Sequence, residues 1–149
     1  MQRIADVKPF LDGIIHWDTQ EAPGGADLTV GQVFRLTGPG QLDFGGSEFA
    51  AASREQMRPR KMQPQDDYGW WRLDAGSYIV RYNEQLNLGE QQVAHITPLN
   101  RLVQAGAHHP AIRTDATGQA LEMLLTVGSA GCHLKENCRI SRLEIFEAG

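Results

Sequence analysis

From Trp70 onward, apolar and polar side chains alternate in short runs. Tyr78, Val80 and Tyr82 are interleaved with Ile79, Arg81 and Asn83, and Leu121, Met123, Leu125 and Val127 fall on one side of a second run. Val93 to Thr97 and Ile140 to Phe146 are further runs of the same kind. A period of two puts successive side chains on opposite faces of an extended chain, so each run predicts a half-buried strand. The runs are cut by glycine and proline, of which the chain has 16 and 7. Many short strands separated by tight turns predict a mainly β fold of jelly-roll or barrel type. The 149 residues suit one domain over 1–149 with a sizeable core, and no repeat or linker divides them.

The first half is less regular. Ile4, Val7, Leu11 and Ile14 or Ile15 recur at helical spacing, interrupted by Pro9 and Gly13, which predicts a short broken helix within residues 1–16. A turn at Pro23 leads into a strand with Leu28, Val30 and Val33 on its apolar side. Thr37 to Gly46 reads as loop and hairpin. Ser53 to Asp67 is polar and brings Arg54, Arg58, Arg60 and Lys61 close together. That stretch is either a basic binding patch or a solvated excursion loop. Of the adjacent Trp70 and Trp71, one is expected in the core and the other at a subunit interface.

A net charge of −4 and a pI near 5.7 argue against a broadly basic nucleic-acid surface. No apolar run approaches the roughly 18 residues needed to cross a bilayer, and the N-terminus is charged where a secretory leader needs an apolar stretch. The chain is therefore expected to be cytoplasmic, with no membrane or nucleic-acid partner. Cys132, His133 and Cys138 do not complete a four-ligand zinc set, so both thiols are read as free.

After the Val93 run comes Pro98-Leu99-Asn100-Arg101-Leu102-Val103-Gln104-Ala105-Gly106. Asn100 suits an N-cap and Gly106 the residue after a helix, which predicts one or two helical turns starting at Arg101. A helix start can attract an anion, and a cation in the first turn is unfavourable unless negative charge lies nearby. His108 and His109, beside Pro110, read as exposed loop residues.

Four segments in order carry a resemblance: Gly25-Ala26-Asp27-Leu28-Thr29-Val30; Tyr82-Asn83-Glu84 followed by Pro98, Leu102, Gly106 and Ala107; Gly118; and Asn137, Arg139, Ile140 and Leu143. Together they resemble the dUTP diphosphatase (dUTPase) and dCTP deaminase superfamily, in particular the compact archaeal-type dUTPases, over roughly residues 24 to 146. The resemblance implies a distorted jelly-roll or β-clip barrel with one or two short helices. It also implies a homotrimer with sites between subunits, and magnesium-dependent conversion of dUTP to dUMP and diphosphate. In such enzymes serines of the second motif bind phosphates, a hairpin aspartate orients water, a tyrosine stacks under the sugar, and carboxylates hold the metal. The chemistry is phosphoryl hydrolysis, in which a cation neutralises oxygen charge and a carboxylate positions the nucleophile.

At those positions this chain differs. Asn100 and Arg101 replace the serines, and Leu99 and Gln104 the flanking arginines. Arg113 stands for the aspartate, Ala116 for the tyrosine and Arg142 for the fourth-motif glutamine. The glycine-rich lid of many members has no counterpart before Gly149. Asp115 could supply the missing carboxylate only with a shifted hairpin register, since two residues along a strand move a side chain about 6.6 Å. By resemblance Asp27 is the metal-side carboxylate, and Asn100, Arg101, Gln104, Arg113, Arg139 and Arg142 are candidates to bind phosphate or nucleotide. The alternative these replacements imply is a catalytically inactive trimeric scaffold that binds a nucleotide or another anion. Glu122 falls one position from the place of the deaminase glutamate, on the opposite strand face.

Overall fold

The twelve-residue strand Gly25–Leu36 organises the fold. In this computed structural model, which describes residues 1–149, its first half pairs with Arg139–Glu147 and its second half with Gly76–Tyr82 and Arg54–Met57. The antiparallel sheet extends through Glu122–Val127 to Ala107–His108 on one side, and through Gln92–Pro98 to Ile112–Thr114 on the other. Cys132–Lys135 and Trp70–Leu73 form a separate two-stranded ribbon. A cluster of 25 buried apolar residues forms the core, with Leu28, Val30, Val33, Val80, Leu125, Ile140 and Leu143 essentially inaccessible. The alternation predicts these faces correctly: Tyr78, Val80 and Tyr82 point inward, as do Leu121, Met123, Leu125 and Val127.

Leu28, Val30 and Val33 break strict alternation yet are all buried. Gly31 explains this. Register shifts between Val30 and Gln32, a bulge that flips the parity of the following residues. A side-chain carbon at Gly31 would lie 2.5 Å from Asn83 Oδ1, so the bulge requires glycine. A second shift, between Arg139 and Ser141, turns Ile140 and Ser141 both inward.

Three expectations are corrected. Residues 1–16 hold no helix beyond a single 3-10 turn, Lys8–Phe10. Their backbone bonds run to other strands instead: Ile4 N–H donates to Ile145 O (2.8 Å), and Leu11–Asp12 pairs with Gln85–Leu86. Val7 and Leu11 share a face because both pack on the core, and the first α-helix comes later, at Trp17–Gln20. Within the polar stretch, Arg54–Met57 is an edge strand rather than loop. Its side chains are mostly exposed on both faces, which erases the alternation that marks a strand. The third correction concerns His109, which is buried while His108 is exposed. Its Nδ1–H donates to Pro110 O (2.9 Å), which leaves Nε2 to accept from the Ser141 hydroxyl (2.7 Å). Tyr82 then donates to Ser141 Oγ (2.6 Å), so the buried chain of donors and acceptors is complete. Burial pushes the His109 imidazole below its usual range and the Tyr82 phenol above its own.

Trp71 is the core tryptophan, its indole N–H donating to Met57 O (2.9 Å), and Trp70 is half-buried. No helix is long and apolar enough to cross a membrane.

Candidate functional site

The turn joining the Cys132–Lys135 and Arg139–Glu147 strands faces the helix Asn100–Gln104 across a cleft of about 560 Å³. Arg101, Asn137, Cys138 and Arg139 line it, and the same four residues border an adjoining hollow of about 200 Å³ next to Gln20 and Thr29. The helix is a single turn. Leu99, not Asn100, occupies the N-cap position, and no side chain caps it. Gly106 follows it at φ 98°, the left-handed ending that the sequence predicts. Asn137 also has positive φ, 67°, in the tight turn that aims Arg139 at the cleft.

Asp27 is nearly inaccessible, and both its oxygens are held by arginine. Arg142 Nε donates to Oδ1 at 2.7 Å and Arg139 Nη1 donates to Oδ2 at 3.0 Å. Register makes this contact: Arg142 lies directly opposite Asp27, and the bulge after Arg139 swings it to the same carboxylate. Gly25 permits the approach, because a side chain there would collide with the Leu143 carbonyl. The donor set does not fit a magnesium ion. A metal at either Asp27 oxygen would have to displace a guanidinium.

Behind the cleft sits a polar core that sequence reasoning missed. Glu84 is fully buried and accepts from Thr29 N–H (2.8 Å), the Thr29 hydroxyl (2.6 Å) and Gln20 Nε2 (2.9 Å). Burial raises its pKa, and these hydrogen bonds offset part of the rise. Asn83 Nδ2 bridges Thr29 Oγ1 and Asn137 Oδ1, both at 2.9 Å, and Gln20 Nε2 also reaches Asp27 O (3.0 Å). The Tyr82-Asn83-Glu84 motif thus fastens the Gly25–Leu36 strand to the cleft-lining turn. The only signal for it was the motif itself, since Gln20 and Thr29 are ordinary residue types in their own segments.

The six candidate anion ligands do not all converge. Arg101 and Arg139 line the cleft, while Arg142 lines neither hollow and shares the Asp27 carboxylate with Arg139. Asn100 and Gln104 are exposed on the helix and line neither hollow. Arg113 is paired opposite His95 at the far edge of the sheet, two strands from Arg142, and its guanidinium meets only Met1 Sδ (3.7 Å). Asp115 follows that strand, exposed, where Ile112, Arg113 and Thr114 pair with Ile96, His95 and Ala94. Glu122 is occupied on the outer face by Arg54 (2.9 Å) and Arg81 (2.8 Å). Burial works to raise its pKa, but the two arginines together hold the carboxyl below its usual range. Burial pushes the Cys138 thiol up to about 11 and raises that of Cys132, so neither is a ready thiolate.

No protein-family model matches the chain. Its sequence is 31% identical to a protein of Methanosarcina mazei over 93% of this chain and 78% of that one, and 32% identical to one of Methanosarcina acetivorans over 92% and 78%. A third relative, from Archaeoglobus fulgidus, is 30% identical over 96% and 82%. Each bears the name "Probable deoxyuridine 5'-triphosphate nucleotidohydrolase". The fold superposes on 2'-deoxycytidine 5'-triphosphate deaminase from Agrobacterium tumefaciens with a TM-score of 0.65 at 16% identity, covering 94% of this chain and 44% of that one. A curled antiparallel sheet with two short helices, the four motifs in order and near full-length similarity agree: this chain belongs to the deoxyuridine 5'-triphosphate nucleotidohydrolase (dUTPase) family.

Proposed function

We propose that this protein uses the dUTPase frame to bind a nucleotide, or another phosphate-bearing anion, without metal-dependent hydrolysis. One observation carries the reading: Arg139 and Arg142 occupy both oxygens of Asp27. Phosphoryl hydrolysis needs a cation bridging phosphate oxygens and a carboxylate to orient water. Here guanidinium groups stand where the family chemistry calls for the metal, and Arg113 stands where it calls for the water-orienting aspartate. Arg101 and Lys135 are exposed cleft cations without a carboxylate partner, and the planar guanidinium of Arg101 suits bidentate phosphate recognition.

The family expectation of a homotrimer fits this reading. Arg113 lies on an edge strand of the sheet, two strands from the one that carries Arg139, and Asp115 just follows it. A neighbouring subunit's hairpin would bring them to the cleft, adding a further guanidinium to the anion site. A second reading, turnover of dUTP to dUMP and diphosphate, is favoured by the names of the near full-length relatives.

Thermal unfolding in EDTA with each deoxynucleoside triphosphate, and with inorganic diphosphate and tripolyphosphate, tests the binding reading. A ligand at 100 times its Kd stabilises by about 2.7 kcal/mol. The expected result is metal-free stabilisation by at least one of these anions, reduced at least tenfold in affinity by Arg101→Gln. Stabilisation that appears only with magnesium, or none with any nucleotide, inorganic diphosphate or tripolyphosphate, would overturn it.

A further inference from the structure

A second cavity, of about 540 Å³, lies outside the motif cleft and is bordered by Arg35, Arg58, Arg60 and Arg72, with Glu55 as its lone carboxylate and Trp70 at its edge. Three separate segments build it. Arg35 lies on the long strand opposite Glu55 of the edge strand. Arg58 and Arg60 follow that strand, and Arg60 is bridged to Trp70 by reciprocal backbone bonds of 2.9 and 2.8 Å. Trp70 and Arg72 are the outward positions of a strand whose Trp71 and Leu73 are buried. Gly69 anchors the crossing: its N–H donates to Glu136 Oε2 (2.6 Å), and a side chain there would strike the Arg60 backbone.

None of the four arginines makes an ion pair. The chain's salt bridges engage Arg3, Arg54, Arg81, Arg139 and Arg142 instead. This is unusual for a chain of net charge −4, in which acidic partners outnumber cations. The basic stretch read from the sequence thus divides: Arg54 is committed to Glu122, while Arg58 and Arg60 turn to the cavity. Four unpaired guanidinium groups from three segments present donors in several directions, the arrangement that a chain of phosphates accepts. The volume matches a small molecule. The acidic remainder of the surface disfavours an extended nucleic acid.

We propose that this cavity is a second anion site, which takes a polyphosphate chain of about triphosphate length, either free or carried by a nucleoside that sets its base against Trp70. The proposal does not depend on ligand binding at the Arg101 cleft.

The test is calorimetric titration of the full chain with inorganic tripolyphosphate in an Arg101→Gln background, which weakens the cleft. Binding is expected to persist there and to weaken at least tenfold when Arg58→Gln and Arg60→Gln are added. Both side chains are exposed and unpaired, so the melting temperature should not move; Arg72→Gln provides an independent second variant with the same expected loss. Parallel titration with dUTP separates the sources. Trp70 borders the motif cleft as well, so tighter binding that is lost in both Trp70→Ala and Arg72→Gln marks a nucleoside ligand in this cavity, and affinity equal to tripolyphosphate marks the free chain. No binding in the Arg101→Gln background, or binding insensitive to the added substitutions, would overturn the proposal. So would affinity for single-stranded oligonucleotides that grows with length while tripolyphosphate fails to compete.

Discussion

Asp27, Glu84 and His109 show how differently polar side chains behave once buried. Asp27 is held by two guanidinium groups, whereas Glu84 has only neutral donors around its carboxylate. Replacing Glu84 with glutamine turns an amide donor toward donors, leaving one of them unsatisfied. Glu84→Gln should cost about 1–3 kcal/mol in urea unfolding, and an unchanged midpoint would refute the network's role. His109 makes a prediction about pH. Its folded pKa is depressed by burial, so the unfolded chain takes up a proton first as pH falls. The stability it contributes is therefore complete above its ordinary value of about 6.5 and is lost progressively below it. His109→Gln retains an acceptor for Ser141 but cannot titrate. The stability advantage of the parent over this variant should shrink between about pH 7.5 and 5, and a constant difference would count against the buried neutral imidazole. Neither residue's environment is legible locally, because His109 meets Tyr82 and Ser141 only after three distant segments have folded together.

At the scale of elements, strands with one buried face were readable and the others were not. Tyr78–Tyr82 and Leu121–Val127 alternate because the core selects one side. Arg54–Met57 carries no such pattern, and residues 1–16 imitate a helix because two core contacts, Val7 and Leu11, happen to lie four apart. Gly106 was legible because a helix ending constrains the backbone itself. The Gly31 bulge shows how an element places chemistry, since it sets the register that seats Asn83 against Thr29 and Asn137. Gly31→Ala would push its methyl into Asn83 Oδ1. It should destabilise by about 1–3 kcal/mol in denaturant titration, the cost of a disrupted buried hydrogen-bond pair. A neutral result would show that the bulge tolerates a side chain.

For the molecule as a whole, the proposed reading keeps the family frame without the family's metal-dependent chemistry. The motifs that hold the curled sheet together were visible as Gly25, Gly106, Asn137 and Ile140. The pairing of Asp27 became clear only when register placed Arg142 opposite it and a bulge brought Arg139 to the same carboxylate. Sequence spacing identified the arginines but not which of them would meet, and it left Arg35 and Arg72 unconnected to Arg58 and Arg60. The central claim is that a guanidinium clamp stands in place of a metal-assisted site. Pyrophosphate release from dUTP, measured with magnesium and again with EDTA, tests it most directly. The account predicts the same blank-level signal in both conditions, and sustained magnesium-dependent release would contradict it.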